Sequence, residues 1–284
     1  MRGRRESPVI AMVPLTIGIL THNSVVNVGK AIASVSAADE IIVCDGASTD
    51  GTRALAESLG CTVIDQDPSC LDEYGRLTNI AGVRDQVLAE AKYDWVLFLD
   101  SDEIASPGLI GEIAQTAVGS RSPAAYRVPR KYMLGGELIE CAMTYPSYQV
   151  RLVNKLAVER YDGLVHDVPV LRDGEETGTL IAEQFVPQPP FRELWRKWRS
   201  YMRLEEVKKS HLSRSEWVSE VVRPNLKGIK WLAYRYYKSL RECRGRRLPI
   251  RYELGRFAYE FGVIVYTGRR FVGIRRSNLG EAWG

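Results

Sequence analysis

Four short apolar runs separated by helix-like stretches dominate the first hundred residues, and this alternation restricts the chain to a small set of folds. Leu15–Leu20, Glu40–Cys44, Cys61–Ile64 and Trp95–Leu99 read as strands. Val28–Val35, Thr52–Leu59 and Leu77–Ala91 read as helices, with Gly60 at a C-cap position. Near-continuous apolar strands linked by helices imply an α/β fold whose parallel sheet is covered on both faces. In such sheets ligands bind beyond the carboxyl ends of the strands. Three of the four runs end there in polar or acidic residues: Thr21-His22-Asn23, Asp45-Gly46, and Asp100 through Glu103.

Residues 120–190 change to short strand-like pieces: Tyr126–Pro129, Tyr148–Val153 and Leu164–Pro169. From Phe191 onward the pattern is helical, near 191–209, 214–243 and 249–266. We therefore expect two parts, an α/β domain over 1–190 and a helical extension over 191–284. Charge divides in the same way. Residues 1–120 carry 8 Lys/Arg against 17 Asp/Glu, whereas 191–284 carry 23 against 9. An acidic front and a basic, aromatic back imply different partners.

The five cysteines are odd in number and lack a CxxC pair, which argues for buried thiols and a reducing cytoplasm rather than a disulfide framework. No apolar run reaches the ~20 residues that span a bilayer. Arg2, Arg4 and Arg5 precede an apolar stretch broken by Pro14, read as a short tail and then the first strand.

Two acidic motifs carry the chemistry. Asp45-Gly-Ala-Ser-Thr-Asp-Gly-Thr52 joins a strand to a helix. It is either a well-capped turn or a carboxylate presented to a nucleobase or ribose. Asp100-Ser-Asp102 follows the most hydrophobic strand, where two nearby carboxylates repel unless a cation or hydrogen-bond donors offset them. Mg2+ takes one or two carboxylates together with phosphate oxygens, so a divalent ion holding a diphosphate suits this pair.

Ile17–Val35, Ala38–Thr52 and Asp94–Glu103 together resemble the family 2 glycosyltransferases, in the branch similar to lipopolysaccharide-core glucosyltransferases. The resemblance covers roughly residues 14–170. It implies a GT-A fold, a nucleotide-sugar donor with UDP-sugar favoured, Mg2+ or Mn2+, and inversion at the anomeric carbon. The implied acceptor is a saccharide or a lipid-linked saccharide in cell-envelope glycan synthesis. Thr21 and Asn23 would line the nucleoside pocket, Asp45 would contact base or ribose, and Asp100 the ribose or metal. Asp102 would ligate the metal. Arg84 matches a basic donor-contact position, but Asp85 replaces the Asn that follows it in the family. Arg151 matches a position facing acceptor or phosphates.

The family's Val-His-Glu segment corresponds to Val165-His166-Asp167, which makes Asp167 the candidate base. His166 then stands beside it, reaches the metal or diphosphate, or is simply a half-buried residue of an edge strand. His22 and His211 read as surface or helix residues. Two other readings compete: a nucleotidyltransferase of similar fold, and a non-catalytic binding protein for membrane or nucleic acid. The absence of a known nucleic-acid module disfavours the latter partner.

Trp195, Trp198, Trp217, Trp231 and several tyrosines alternate with cations in the last third. In Lys227–Leu240, Ile229, Ala233, Tyr236 and Leu240 fall on one helical face, with Lys227, Lys230, Arg235 and Lys238 elsewhere. Such helices lie on anionic membranes, which suggests peripheral attachment at the inner face of a cytoplasmic membrane. Their other use is to pack on the core with charged stems outward.

Overall fold

The computed structural model describes residues 12–73, 77–118, 123–163 and 167–272, which form two compact units. The first comprises residues up to 131 and 146–186, and the second comprises 132–145 and the chain from 187. The expected tail over residues 1–11 lies outside the described residues.

The first unit opens as the sequence implied: β1 (Val13–Thr21), α1 (Val25–Ser34), β2 (Ala38–Asp45), α2 (Thr52–Ser58), β3 (Thr62–Asp65), α3 (Ile80–Glu90) and β4 (Trp95–Asp100). β5 (Ile104–Ala105), α4 (Leu109–Thr116) and β6 (Ala125–Leu134) follow. After β7 (Glu137–Leu138), which belongs to the second unit, come β8 (Ser147–Asn154), β9 (Val158–Asp162), β10 (Val168–Leu171), β11 (Thr177–Thr179) and β12 (Gln184–Pro187). The main sheet runs β3-β2-β1-β4-β8-β6-β12-β5. Its first four strands are parallel, and β8 then pairs antiparallel with both β4 and β6. The architecture is thus α/β with helices flanking the sheet, and antiparallel strands extend the parallel part.

Burial explains the order. β1 and β4 lie centrally, and Leu15, Ile17, Ile19, Val96, Leu97, Phe98 and Leu99 are almost wholly buried. One core gathers α1 and α4 against the sheet, and a second gathers α3 and β9. Gly18 is required where α3 crosses β1: an added Cβ would lie 2.8 Å from Val87 and 2.9 Å from Phe98.

Helix α3 begins later than its apolar pattern suggests. Asn79 accepts from the Gly82 N–H at 3.0 Å and caps the helix, while Leu77 pairs with Leu71 in an isolated bridge. Three residues of the expected helix therefore belong to the preceding turn.

In the second unit α5 (Phe191–Lys208), α6 (Arg214–Trp217), α7 (Arg223–Glu242) and α8 (Ile250–Val272) are helical, and a single π turn carries α6 into α7. Ile139, Leu248 and Tyr252 form one core with Phe191 and Leu194, and Met202, Leu212, Val221 and Val263 form another. The inward face of α7 centres on Leu232, whereas Ala233 and Leu240 are exposed. That rotation corrects the expected face. Arg235 also turns inward and donates to the backbone carbonyls of Met143 (3.2 Å) and Tyr145.

Cys141 and Cys243 form a disulfide across 102 residues of sequence. This overturns the expectation of five thiols, and the cysteines no longer argue for a reducing compartment. The physical reason lies in the surrounding pairing: Glu140 and Cys141 N–H groups both donate to Arg246 O, and Leu248 N–H donates to Cys141 O. The two sulfurs are thereby held side by side. Cys44, Cys61 and Cys70 are free and buried. Burial pushes the Cys44 thiol up to about 12, with Asp45 adding to the effect, and the Cys61 thiol up to about 11.

Gly18→Ala is expected to lower stability by about 1–3 kcal/mol, since the methyl overpacks a seam with no slack. A denaturant midpoint equal to wild type would show that α3 moves aside without cost.

Candidate active site

The tips of β1, β2 and β4 are bonded into one edge. Register sets Thr21 against Asp45 and Leu20 against Asp100. The two acids therefore flank β1, on the order of 10 Å apart at the usual strand spacing. Ser24 Oγ and Ser101 Oγ lie 2.8 Å apart and join the first tip to the third.

The β2–α2 turn folds around its own carboxylate. Asp45 is buried and accepts from Thr21 Oγ1 (2.8 Å), Ser48 N–H (2.9 Å) and Ser48 Oγ (2.6 Å). The turn is capped by its own side chains, with Thr21 and Asp45 bonded to each other. Gly46 admits the buried Gln66 side chain, whose Oε1 would sit 2.9 Å from an added Cβ. Asn23 adopts a positive φ of 48° and is exposed. Its Oδ1 accepts from Thr49 N–H (2.9 Å), and its own N–H donates to Ser48 Oγ (2.8 Å). His22 is more than a bland surface residue. Nδ1 lies 2.7 Å from Gly46 O and Nε2 lies 3.1 Å from Asn23 Nδ2, a pattern satisfied when Nδ1 carries the proton. Asp50 accepts from Thr52 N–H (3.0 Å) and Val25 N–H (3.1 Å), so one carboxylate serves the starts of two helices.

At the third tip, Glu103 N–H donates to Asp100 O at 2.9 Å and closes a tight turn. Ser101 and Asp102 occupy the two central positions of that turn, and Asp102 is exposed. Asp100 and Asp102 therefore differ in setting. Arg151 grips Asp100 with both terminal nitrogens, Nη1 to Oδ1 at 3.1 Å and Nη2 to Oδ2 at 2.8 Å. Arg84 Nη2 lies 3.8 Å from Asp100 Oδ1, and its Nε donates to Asp167 Oδ2. Glu103, almost wholly buried, receives Arg130 and lies 3.5 Å from Arg151.

This cluster sets the electrostatics. Burial alone would raise the Asp100 carboxyl, but Arg151 and Arg84 outweigh it and hold the group well below the usual carboxylate range. Burial keeps the Glu103 carboxyl high despite Arg151 and Arg130. Burial would lower Arg151, yet Asp100 and Glu103 hold it firmly protonated.

The structure thus brings Arg84, Asp100, Arg151 and Asp167 together, and with them Glu103 and Arg130, which the sequence reading had not assigned a role. Arg84 and Arg151 are buried and directed at carboxylates of the chain itself. Asp85 accepts the Tyr161 N–H at 2.7 Å, which gives the substituted position a role in tying α3 to β9. His166 lies outside the described residues. Among the described residues, no group of three or more His, Cys, Asp or Glu forms a metal cage.

The depressed Asp100 carboxyl gives a pH test. Its contribution to stability is present above the unfolded-chain value of about 3.9 and is lost as pH falls toward the lower folded value. Asp100→Asn is therefore expected to melt below wild type at neutral pH, with the gap closing as pH drops below about 4. A gap of constant size across that range contradicts the ion-pair account.

Comparison with known proteins agrees with the motifs. Residues 16–136 match the model of "Glycosyl transferase family 2". A lipopolysaccharide core biosynthesis glycosyltransferase, LpsC of Rhizobium meliloti, is 29% identical over 128 residues, which is 45% of this chain and 46% of that protein. An uncharacterized glycosyltransferase of Rickettsia bellii is 36% identical over 96 residues, 34% of this chain and 30% of that protein. The chain thus matches less than half the length of these curated relatives. Among solved structures, glucosyl-3-phosphoglycerate synthase from Mycobacterium tuberculosis in complex with phosphoglyceric acid overlaps loosely. Its TM-score is 0.46 at 17% identity, covering 64% of this chain and 75% of that one. The three motifs and the match of residues 16–136 to the glycosyl transferase family 2 model agree with one another.

Proposed function

We propose that the protein is an inverting glycosyltransferase, moving a sugar from a nucleotide-sugar donor to a saccharide or lipid-linked acceptor in cell-envelope glycan synthesis. The observation that carries this reading is the joined edge of β1, β2 and β4, with Asp102 exposed at the corner of a turn that Asp100 and Glu103 fix. The donor set suits Mg2+ or Mn2+: at most two carboxylates of the chain, one of them already held by Arg151, with substrate oxygens completing the shell. Bound there, the ion would offset the charge of the departing diphosphate. Asp102 would hold it, and Asp100 would orient that turn from behind. UDP is the favoured nucleotide, by the resemblance.

Asp167, oriented by Arg84, would accept the acceptor hydroxyl's proton as that oxygen bonds to the anomeric carbon. The bond from that carbon to the donor's phosphate oxygen breaks, and the nucleoside diphosphate leaves with the electron pair. Thr21 and Asp45 shape the wall beneath the nucleoside, and Asn23 lies at its rim. The reading places the enzyme at the cytoplasmic face of a membrane, where a soluble donor meets a lipid-linked acceptor.

A thermal-shift screen of UDP-, GDP- and dTDP-sugars with and without Mn2+ tests the donor, because a ligand of the folded state raises Tm. One nucleotide sugar should stabilise only with the metal. Asp102→Asn should abolish that dependence in calorimetry with the nucleoside diphosphate, and an unaltered isotherm would remove the residue from the site. Asp167→Asn should bind normally while turning over slower by a factor on the order of 10² or more. Release of pyrophosphate instead of nucleoside diphosphate would assign the nucleotidyltransferase reading.

A further inference from the structure

Helix α7 presents a solvent face that its own unit does not use. Trp231 is 51% exposed, Tyr234 60% and Tyr237 55%, with Leu226 at 51% and Leu240 at 49% on the flanks. Lys227, Lys230, Lys238 and Arg241 are exposed between these rings. Glu242, the last residue of the helix, is its only carboxylate. At 100° per residue, Tyr237, Lys230, Arg241, Tyr234, Lys227 and Lys238 fall in that order across one arc, with apolar Leu226 on one border and Trp231 on the other.

From this face we infer an attachment surface for an anionic lipid bilayer, with α7 lying in the plane of the headgroups. Three properties select that occupant. Tyrosine and tryptophan have an apolar body and a polar edge, the combination favoured at headgroup depth. Lysines between them meet phosphate charge, while Leu226 and Leu240 at one border and Trp231 at the other enter the acyl boundary. The chain also carries no recognisable nucleic-acid-binding motif. Among the described residues no helix is long and apolar enough to cross a membrane, so the contact is interfacial. The inference rests on α7 alone and is independent of the donor site.

Vesicle co-sedimentation of the full chain tests it, using phosphatidylglycerol and phosphatidylcholine in equal parts against phosphatidylcholine alone. Wild type should partition onto the anionic vesicles at low ionic strength and leave them as salt approaches about 1 M, where the Debye length is ~3 Å. Lys227→Gln/Lys230→Gln/Lys238→Gln should bind on the order of 10²-fold more weakly. Trp231→Ala/Tyr234→Ala/Tyr237→Ala should lose whatever binding survives at moderate salt. Both variants should keep the far-UV spectrum and nucleotide affinity of wild type, which separates failure here from failure of the proposed enzyme. Absent partitioning of wild type, or equal partitioning of the lysine variant, overturns the inference. So does binding to an arbitrary single-stranded oligonucleotide without vesicle binding, which would assign the face to nucleic acid.

Discussion

The two-pronged ion pair between Arg151 and Asp100 is the constraint on which the mouth of the sheet depends. A guanidinium with 4% exposure carries a desolvation penalty of several kcal/mol. The penalty is tolerable only where geometry is good and the charge is matched. Here Arg84, Arg130 and Arg151 meet Asp100, Glu103 and Asp167, so the cluster supplies its own balance of sign. Because Asp100 is clamped from behind and Glu103 closes the turn, the two residues between them are set at its outer corners. A buried charge network can in this way fix the position of the carboxylate at that corner.

The strands were legible because each is a local pattern. β1, β2 and β4 are near-continuous apolar segments, and their polar ends announce the sheet's carboxyl edge without knowledge of any partner. The capped turn after β2 was equally local: Asp45 and Ser48 are three residues apart, and their bonds follow from chain geometry. Arg84 and Arg151 were visible as positions matched in the resembling family. Their destinations were not, since Asp100 is 51 residues from Arg151 and Asp167 is 83 from Arg84.

The same limit explains the cysteines. Parity excludes a complete pairing of five thiols, yet it says nothing about a single bridge. What brings Cys141 to Cys243 is the backbone pairing of residues 140–141 and 246–248, a long-range match with no signature in spacing. In α7 the failure was of another kind. Aromatic residues occur around much of the helix, so hydrophobic periodicity alone could not decide which ring turns inward. Tyr236 is partly covered and Tyr237 is open, although they are adjacent and chemically identical.

Side-chain chemistry resolves what composition left ambiguous in the basic second unit. Several of its arginines are committed to the unit's own carbonyls. Arg235 serves Met143 and Tyr145, Arg247 serves Ser239, Leu240 and Cys243, and Arg270 serves Ser210 and Leu212. A planar fork with five donors suits this work, because one side chain can satisfy two or three acceptors that a helix end or loop leaves open. Lys227 and Lys230 instead stand on the exposed side of α7 as flexible point charges, and Lys238 beside them pairs with Glu242 at 3.6 Å. A cation count therefore overstates the charge available to a partner. The arginines named here act largely as internal fasteners, and the outward field of α7 is set mainly by its lysines, on the same face as Trp231, Tyr234 and Tyr237.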